Sequence, residues 1–166
     1  MKKKLNHKVI NDFLTKKELQ NLINVVMSNN FSWFFQEKVN INHSKKDTSL
    51  YFTHLLFENN NINSDYYNYF NVIIKKLNAK SLIRVKVNCY PNTHKLIENK
   101  PHYDYNYPHK GCVFYFNTCD GYTKLNDGTK VESVANRALF FDPSIPHQST
   151  NCTNAKARFN ININYL

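Results

Sequence analysis

The stretch Ala157-Arg158-Phe159-Asn160-Ile161-Asn162-Ile163-Asn164-Tyr165 alternates without a break between apolar and polar side chains. Successive side chains of a strand point to opposite faces, so only a β-strand sorts these residues cleanly. One face carries Ala157, Phe159, Ile161, Ile163 and Tyr165. The other carries Arg158, Asn160, Asn162 and Asn164. That polar face meets either bulk water or a wet cavity inside a closed roll. In a cavity, the planar guanidinium of Arg158 would grip a carboxylate through two parallel hydrogen bonds. Arginine is scarce, with 3 Arg against 19 Lys, so a simple surface cation at 158 would more naturally have been lysine.

The same period of two governs the second half of the chain. Leu82 to Tyr90 reads as a strand, with Ile83, Val85, Val87 and Cys89 on one face and Arg84, Lys86, Asn88 and Tyr90 on the other. Gly111 to Asn117, Lys130 to Val134, Arg137 to Asp142 and Ala157 to Leu166 follow as further strands. They are separated by turn signals at Pro91-Asn92, Asp120-Gly121, Asp127-Gly128, Pro143 and Pro146. The first half reads as helical in two places. Thr15 and Glu18 form a capping box ahead of Leu19, Leu22, Ile23, Val26 and Met27, and Asn29-Asn30 ends that helix. A second helix is expected from Ser64, with Tyr66, Tyr69, Phe70, Ile73, Ile74 and Leu77 as its core stripe. Residues 31–63 hold an aromatic cluster (Trp33, Phe34, Phe35, Tyr51, Phe52, Phe57), read as core strand and connecting loop. The expectation is one mainly β (α+β) domain over residues 1–166, a small sandwich or jelly roll. Its helical flank covers about 1–80 and its β-roll about 82–166.

Composition narrows the function classes. With 42% hydrophobic residues, 12 Phe and 11 Tyr, the chain can form a core, and 166 residues bury about two-thirds of the unfolded surface. The formal charge of +10 invites a nucleic-acid reading. The lysines are scattered, however, and rise together with 27 Asn, which points to a solvated basic surface. Cys89, Cys112, Cys119 and Cys152 form no C-x-x-C pair and read as free thiols. Met1-Lys2-Lys3-Lys4 resembles the start of a secretory signal, but Asn6, His7, Lys8, Asn11 and Asp12 interrupt the apolar run such a signal needs. No segment reaches membrane-spanning length, so a cytoplasmic protein without membrane partners is expected.

The chemistry-bearing residues are His102-Tyr103-Asp104, with His147 43 residues after Asp104 and Arg158 11 residues later. On a strand, His102 and Asp104 point to the same side and can share one metal ion, while His147 arrives from a distant strand. Two imidazoles and one carboxylate hold one face of an Fe(II) ion and leave the opposite face open for a chelating 2-oxoacid and O2. Alone, H-x-D also fits a surface histidine beside a turn-forming aspartate, with Pro101 and Pro108 nearby. The ordered set His102, Asp104, His147, Arg158 on a β-rich chain is more specific. Tyr90 and Tyr115 are candidates to assist Arg158 in holding a carboxylate. His43, His54, His94 and His109 read as surface or packed histidines.

Val9-Ile10-Asn11-Asp12-Phe13-Leu14-Thr15, Val87-Asn88-Cys89-Tyr90-Pro91, Pro101-His102-Tyr103-Asp104-Tyr105, Val113-Phe114-Tyr115-Phe116-Asn117, Arg137-Ala138-Leu139-Phe140-Phe141-Asp142 and Pro146-His147 occur in that order. Together they resemble the prolyl-4-hydroxylase-like 2-oxoglutarate/Fe(II) oxygenases over nearly the whole chain, and the small marine phage versions in particular. The resemblance implies a double-stranded β-helix (jelly roll, cupin-like) with N-terminal flanking helices. It also implies His102, Asp104 and His147 as iron ligands, and Arg158 as the partner of the far carboxylate of 2-oxoglutarate, assisted by Tyr90 and Tyr115. The implied activity is a dioxygenase that hydroxylates a substrate while decarboxylating 2-oxoglutarate to succinate. Its requirements would be Fe(II), 2-oxoglutarate and O2, with ascorbate admitted as a reductant. The chain has Arg158 where many prolyl hydroxylases carry lysine, and Pro91-Asn92-Thr93-His94 where a glycine-bearing segment is usual. The double glycine before the next strand is reduced to Asp120-Gly121. These departures bear on the prolyl substrate, and the implied iron ligands His102, Asp104 and His147 are retained.

A protein or peptide side chain is the favoured substrate. A nucleic-acid oxygenase ranks lower, because dealkylating members show R-x-N-x-x-x-R on the last strand and position 164 is Asn. A catalytically silent metal-binding roll is the alternative from another class.

Overall fold

The alternating C-terminal stretch lies within the larger of two sheets as β11 (Ala157–Tyr165). This computed structural model describes residues 7–37 and 50–166. β11 runs antiparallel to β5 (Leu82–Pro91) on one side and to β6 (Lys110–Tyr115) on the other. Beyond β6 come β9 (Arg137–Phe141) and β1 (Lys8–Ile10). Beyond β5 come β3 (Tyr51–Glu58) and β2 (Phe34–Gln36), with the short β4 (Asn61–Ile62) also paired to β3. The smaller sheet has the order β10 (His147–Ser149), β7 (Tyr122–Leu125), β8 (Lys130–Glu132). Isolated bridges from Glu98 to Thr150 and from His102 to His147 fasten the 98–102 segment alongside it. All paired strands are antiparallel, and sequence neighbours such as β5 and β6 are separated by β11, as in a roll whose chain doubles back.

The outer face of the larger sheet carries the main core. Val85, Val87, Cys112, Phe114, Ala138, Ile161 and Ile163 pack there against Leu22, Val26, Phe70, Ile73 and Leu77. Each large apolar side chain fully buried there contributes roughly 1.5–3 kcal/mol. Helix α1 (Lys16–Val26) begins as the sequence anticipates. The Glu18 amide donates to Thr15 Oγ1 at 3.2 Å and the Thr15 amide donates to Glu18 Oε2 at 2.8 Å. The second helical segment departs from expectation. It is a 3-10 stretch (Asp65–Phe70), a single turn α2 (Asn71–Ile74) and another 3-10 turn (Lys75–Leu77). Three β-branched residues in a row, Val72, Ile73 and Ile74, lower its helical preference. Asn78 then ends it in the left-handed region at φ 49°. The stripe Phe70, Ile73, Leu77 is nevertheless buried. The first 80 residues are more than a helical flank, because β1 to β4 all join the larger sheet.

The inner face is graded. Val113, Tyr115, Leu139 and Phe141 meet Val131 and Leu125 of the smaller sheet in a second apolar cluster. Between β5 and β11 the wall is polar yet buried: Arg158 and Asn164 are fully enclosed, and Asn88, Asn160 and Asn162 nearly so. The polar face of the last strand therefore lines the interior of the roll and not bulk water. All four cysteines are free. Among the described residues no helix is long and apolar enough to cross a membrane.

Candidate metal centre

His102, Asp104 and His147 converge. One donor atom from each lies within 4.8 Å of the others, and the two imidazole centroids are 4.5 Å apart. The His102 amide donates to the His147 carbonyl at 3.0 Å, the His147 amide returns the bond at 2.8 Å, and the Asp104 amide donates to Pro143 at 2.9 Å. The H-x-D segment was expected on a regular strand, but it is an extended stretch with a single bridge. Proline precedes each histidine, at 101 and 146, and lacks the N–H that would continue the ladder.

Protonation states suit metal binding. His147 Nδ1 faces the Ile145 carbonyl at 3.1 Å, which only accepts, so Nδ1 carries the proton and Nε2 presents its lone pair. Burial, reinforced by His147, lowers His102 to about 4, and burial also lowers His147. Both rings are therefore neutral at pH 7. Burial alone would raise the Asp104 carboxyl. The Arg84 guanidinium at 2.9 Å outweighs it, aided by His147, the Asn162 amide at 3.0 Å and His102, and holds the group well below the usual carboxylate range. Two neutral imidazoles and one carboxylate are the donor set that suits Fe(II) with open positions.

Arg158 is completely buried. Its Nη1 donates to the Thr150 carbonyl and its Nη2 to Thr123 Oγ1, each at 3.0 Å. The guanidinium lies over the Tyr90 and Tyr115 rings at 5.5 and 5.3 Å. The Tyr115 hydroxyl donates to Thr123 Oγ1 at 2.9 Å, and the Tyr90 hydroxyl pairs with Ser149. Among the described residues no carboxylate lies within ion-pair distance of Arg158. A buried charge without a counter-ion is costly unless the site exists to receive one. Arg158, Tyr90, Ser149, Asn160 and both histidines line a single cavity. The cavity is small, about 30 Å³.

Gly121 passes directly over Arg158. A Cβ there would stand 2.3 Å from the Asn151 carbonyl oxygen and 2.6 Å from Arg158 Cδ. Gly121→Ala is expected to cost about 1–3 kcal/mol through overpacking and to weaken dicarboxylate binding by displacing the guanidinium. Urea denaturation and calorimetric titration with 2-oxoglutarate measure the two effects.

Four of the six anticipated residues, His102, His147, Arg158 and Tyr90, line this cavity, while Asp104 joins the two histidines and Tyr115 lies against Arg158. Arg84 and Asn162, which grip Asp104, were not singled out, although Arg84 is one of only three arginines and sits on the polar face of its strand. Of the other histidines, His54 is packed between Ser32, Ser64 and the Phe31 ring, and His94 sits in an exposed turn. His109 is buried against the Tyr107 carbonyl, and His43 lies outside the described residues. Cys119, Asp120 and Cys152 also cluster, but the Asp120 carboxylate is taken up by the Thr153 amide and hydroxyl.

No family model and no curated protein matches the sequence. Solved structures do. The chain is similar to a prolyl hydroxylase from Trichoplax adhaerens solved with a hypoxia inducible factor peptide fragment, at 15% identity and TM-score 0.70, covering 97% of this chain and 83% of that one. It is also similar to the viral collagen prolyl hydroxylase of Paramecium Bursaria Chlorella virus-1 in its 2-oxoglutarate complex, at 16% identity and TM-score 0.64, covering 96% and 94%. The chain has the double-stranded β-helix fold of these hydroxylases. An oxidoreductase of the 2-oxoglutarate-Fe(II) oxygenase family from Burkholderia pseudomallei shares it at TM-score 0.72 and 9% identity, covering 98% and 85%.

Proposed function

We propose that the chain is a non-haem Fe(II)- and 2-oxoglutarate-dependent dioxygenase that hydroxylates a protein or peptide side chain in the cytoplasm. The observation that carries this reading is one cavity lined both by two neutral imidazoles and by a buried guanidinium that has no carboxylate partner among the described residues. His102, His147 and Asp104 would hold the iron. When bound, the iron would supply the redox chemistry that couples O2 and 2-oxoglutarate decarboxylation to oxidation of a C–H bond. The rest of the work falls to the protein. Arg158, flanked by Tyr90 and Tyr115, receives the far carboxylate. Arg84 and Asn162 fix the Asp104 carboxylate from both of its oxygens. The Phe141 ring, edge-on to His147 at 4.9 Å, restrains the imidazole, and the Val113–Leu139 wall limits water. The peptide preference draws on the Trichoplax enzyme, which was solved with a peptide.

Fe(II) and 2-oxoglutarate added to the protein without oxygen should give a weak visible charge-transfer band. In air, with ascorbate to keep iron reduced, succinate release should rise with a peptide pool and not with oligonucleotides. Folded protein that gives no band would instead be a silent metal-binding roll.

A further inference from the structure

A groove of about 740 Å³ runs beside the triad, lined in part by Thr53, Leu55, Glu58, Asp65, Arg84 and Lys86. Arg84 joins the two sites, because it lines the groove and also bonds Asp104 at 2.9 Å. Arg84 and Lys86 alternate on β5 and so share its inner face. Register places them beside Asn164 and Asn162 of β11 and beside Glu58 and Leu55 of β3. Two nearby carboxylates are already engaged, while Asp65 lines the groove without an ion pair to Arg84 or Lys86. Asp104 is held by Arg84 and Asn162 and belongs to the ligand triad, and Glu58 accepts from the Tyr105 hydroxyl at 3.2 Å. Lys86 is half-buried. Its ammonium has a long 3.5 Å bond to the Tyr51 hydroxyl and lies 5.6 Å from that ring. Among the described residues no carboxylate comes within ion-pair distance of it. Burial and then the neighbouring Arg84 charge lower its pKa to about 8, so at pH 7 it remains a cation in a setting that disfavours cations. A half-buried ammonium at the floor of an open groove, next to a second cation, calls for an anion from outside.

We infer that the substrate brings a carboxylate to Lys86, so that the groove selects peptides with an acidic group close to the carbon that is oxidised. The inference rests on the oxygenase reading above and specifies its substrate class. A carboxylate fits better than a nucleic-acid backbone because Glu58 and Asp65 line the same groove and would repel a run of phosphates. The carboxylate can come from an Asp or Glu side chain or from a peptide C-terminus, and the test separates the two.

Three random nonapeptide pools and an oligothymidylate, each carrying a carboxylate-free boron-dipyrromethene dye, are titrated into the full protein with Fe(II) and 2-oxoglutarate under nitrogen, and binding is read by anisotropy. One pool contains Asp and Glu with an amidated end, one lacks them but has a free C-terminus, and one has no carboxylate. At least one carboxylate pool should bind roughly ten- to hundredfold more tightly than the third, the range for a hydrogen bond to a charged group. Which pool does so identifies the source. Lys86→Met should erase the difference and Lys86→Arg should keep it, with unchanged 2-oxoglutarate binding as the check on folding. Equal binding of all three pools, or discrimination that survives in Lys86→Met, overturns this inference alone. Preference for oligothymidylate over every pool, or no peptide binding at all, overturns the peptide reading as well.

Discussion

His102→Ala should eliminate the anaerobic charge-transfer band that Fe(II) and 2-oxoglutarate give with the parent protein. Two donors would remain, and one of them, Asp104, is already satisfied by Arg84 at 2.9 Å and Asn162 at 3.0 Å. A metal ion must compete with that guanidinium, and it loses a nitrogen ligand with which to do so. Metal affinity should therefore fall by more than the roughly 10–100-fold typical when a group that only supports a ligand is removed. Equilibrium dialysis with Fe(II) measures this directly, and an intact band would refute the ligand assignment. The same variant has a signature in stability. His102 is held down to about 4, against an ordinary value of 6.5. As pH falls from 6.5 toward 4, the unfolded chain takes up a proton that the folded chain refuses, and stability is lost across that window. Alanine has no such proton to refuse. Its stability should drop less over the same window, by up to about 3 kcal/mol, as urea midpoints between the two pH values would reveal.

Arg158→Met should abolish 2-oxoglutarate binding while leaving Fe(II) binding in its absence nearly unchanged. The guanidinium is fully buried, and its two fixed hydrogen bonds, to Thr150 and Thr123, leave it aimed into the cavity. Without it, the far carboxylate would be desolvated against a thioether, at a cost of several kcal/mol, so affinity should fall at least about hundredfold. The fold should survive, since the substitution removes a costly buried charge that has no counter-ion among the described residues and leaves an apolar side chain of similar length in its place. Arg158→Lys keeps the charge but loses the two-pronged geometry, and an intermediate loss is expected. Calorimetry with 2-oxoglutarate on the three proteins ranks them. Unaltered affinity in Arg158→Met would remove Arg158 from the site.

The parts of this fold visible in the sequence are those written in local patterns. The alternation of Ala157 to Tyr165 announced β11, and Thr15 with Glu18 announced the start of α1. The order of His102, Asp104, His147 and Arg158 pointed to side chains that the fold brings together, the first three within 4.8 Å of one another and Arg158 lining a cavity with the two histidines. What stayed hidden depends on register between distant strands. Nothing local says that Asn162, one of 27 asparagines, rather than Asn160 or Asn164, meets Asp104. That choice is made when β11 aligns with β5 and the H-x-D segment folds over both. The strands β7 and β10 have four and three residues, too short for a period of two to stand out. β3 was blurred because Phe52, Leu55, Leu56 and Phe57 put apolar residues on both faces, as a covered strand requires.

The prolines ahead of His102 and His147 have a mechanical consequence. They thin the backbone stitching between the segment around residue 102 and its neighbour β10, leaving the two imidazoles as adjoining halves of a clasp. An ion caught between them would fasten those segments together as well as serve chemistry. Protease resistance around residues 92–109 would then report loading of the centre without any turnover being measured.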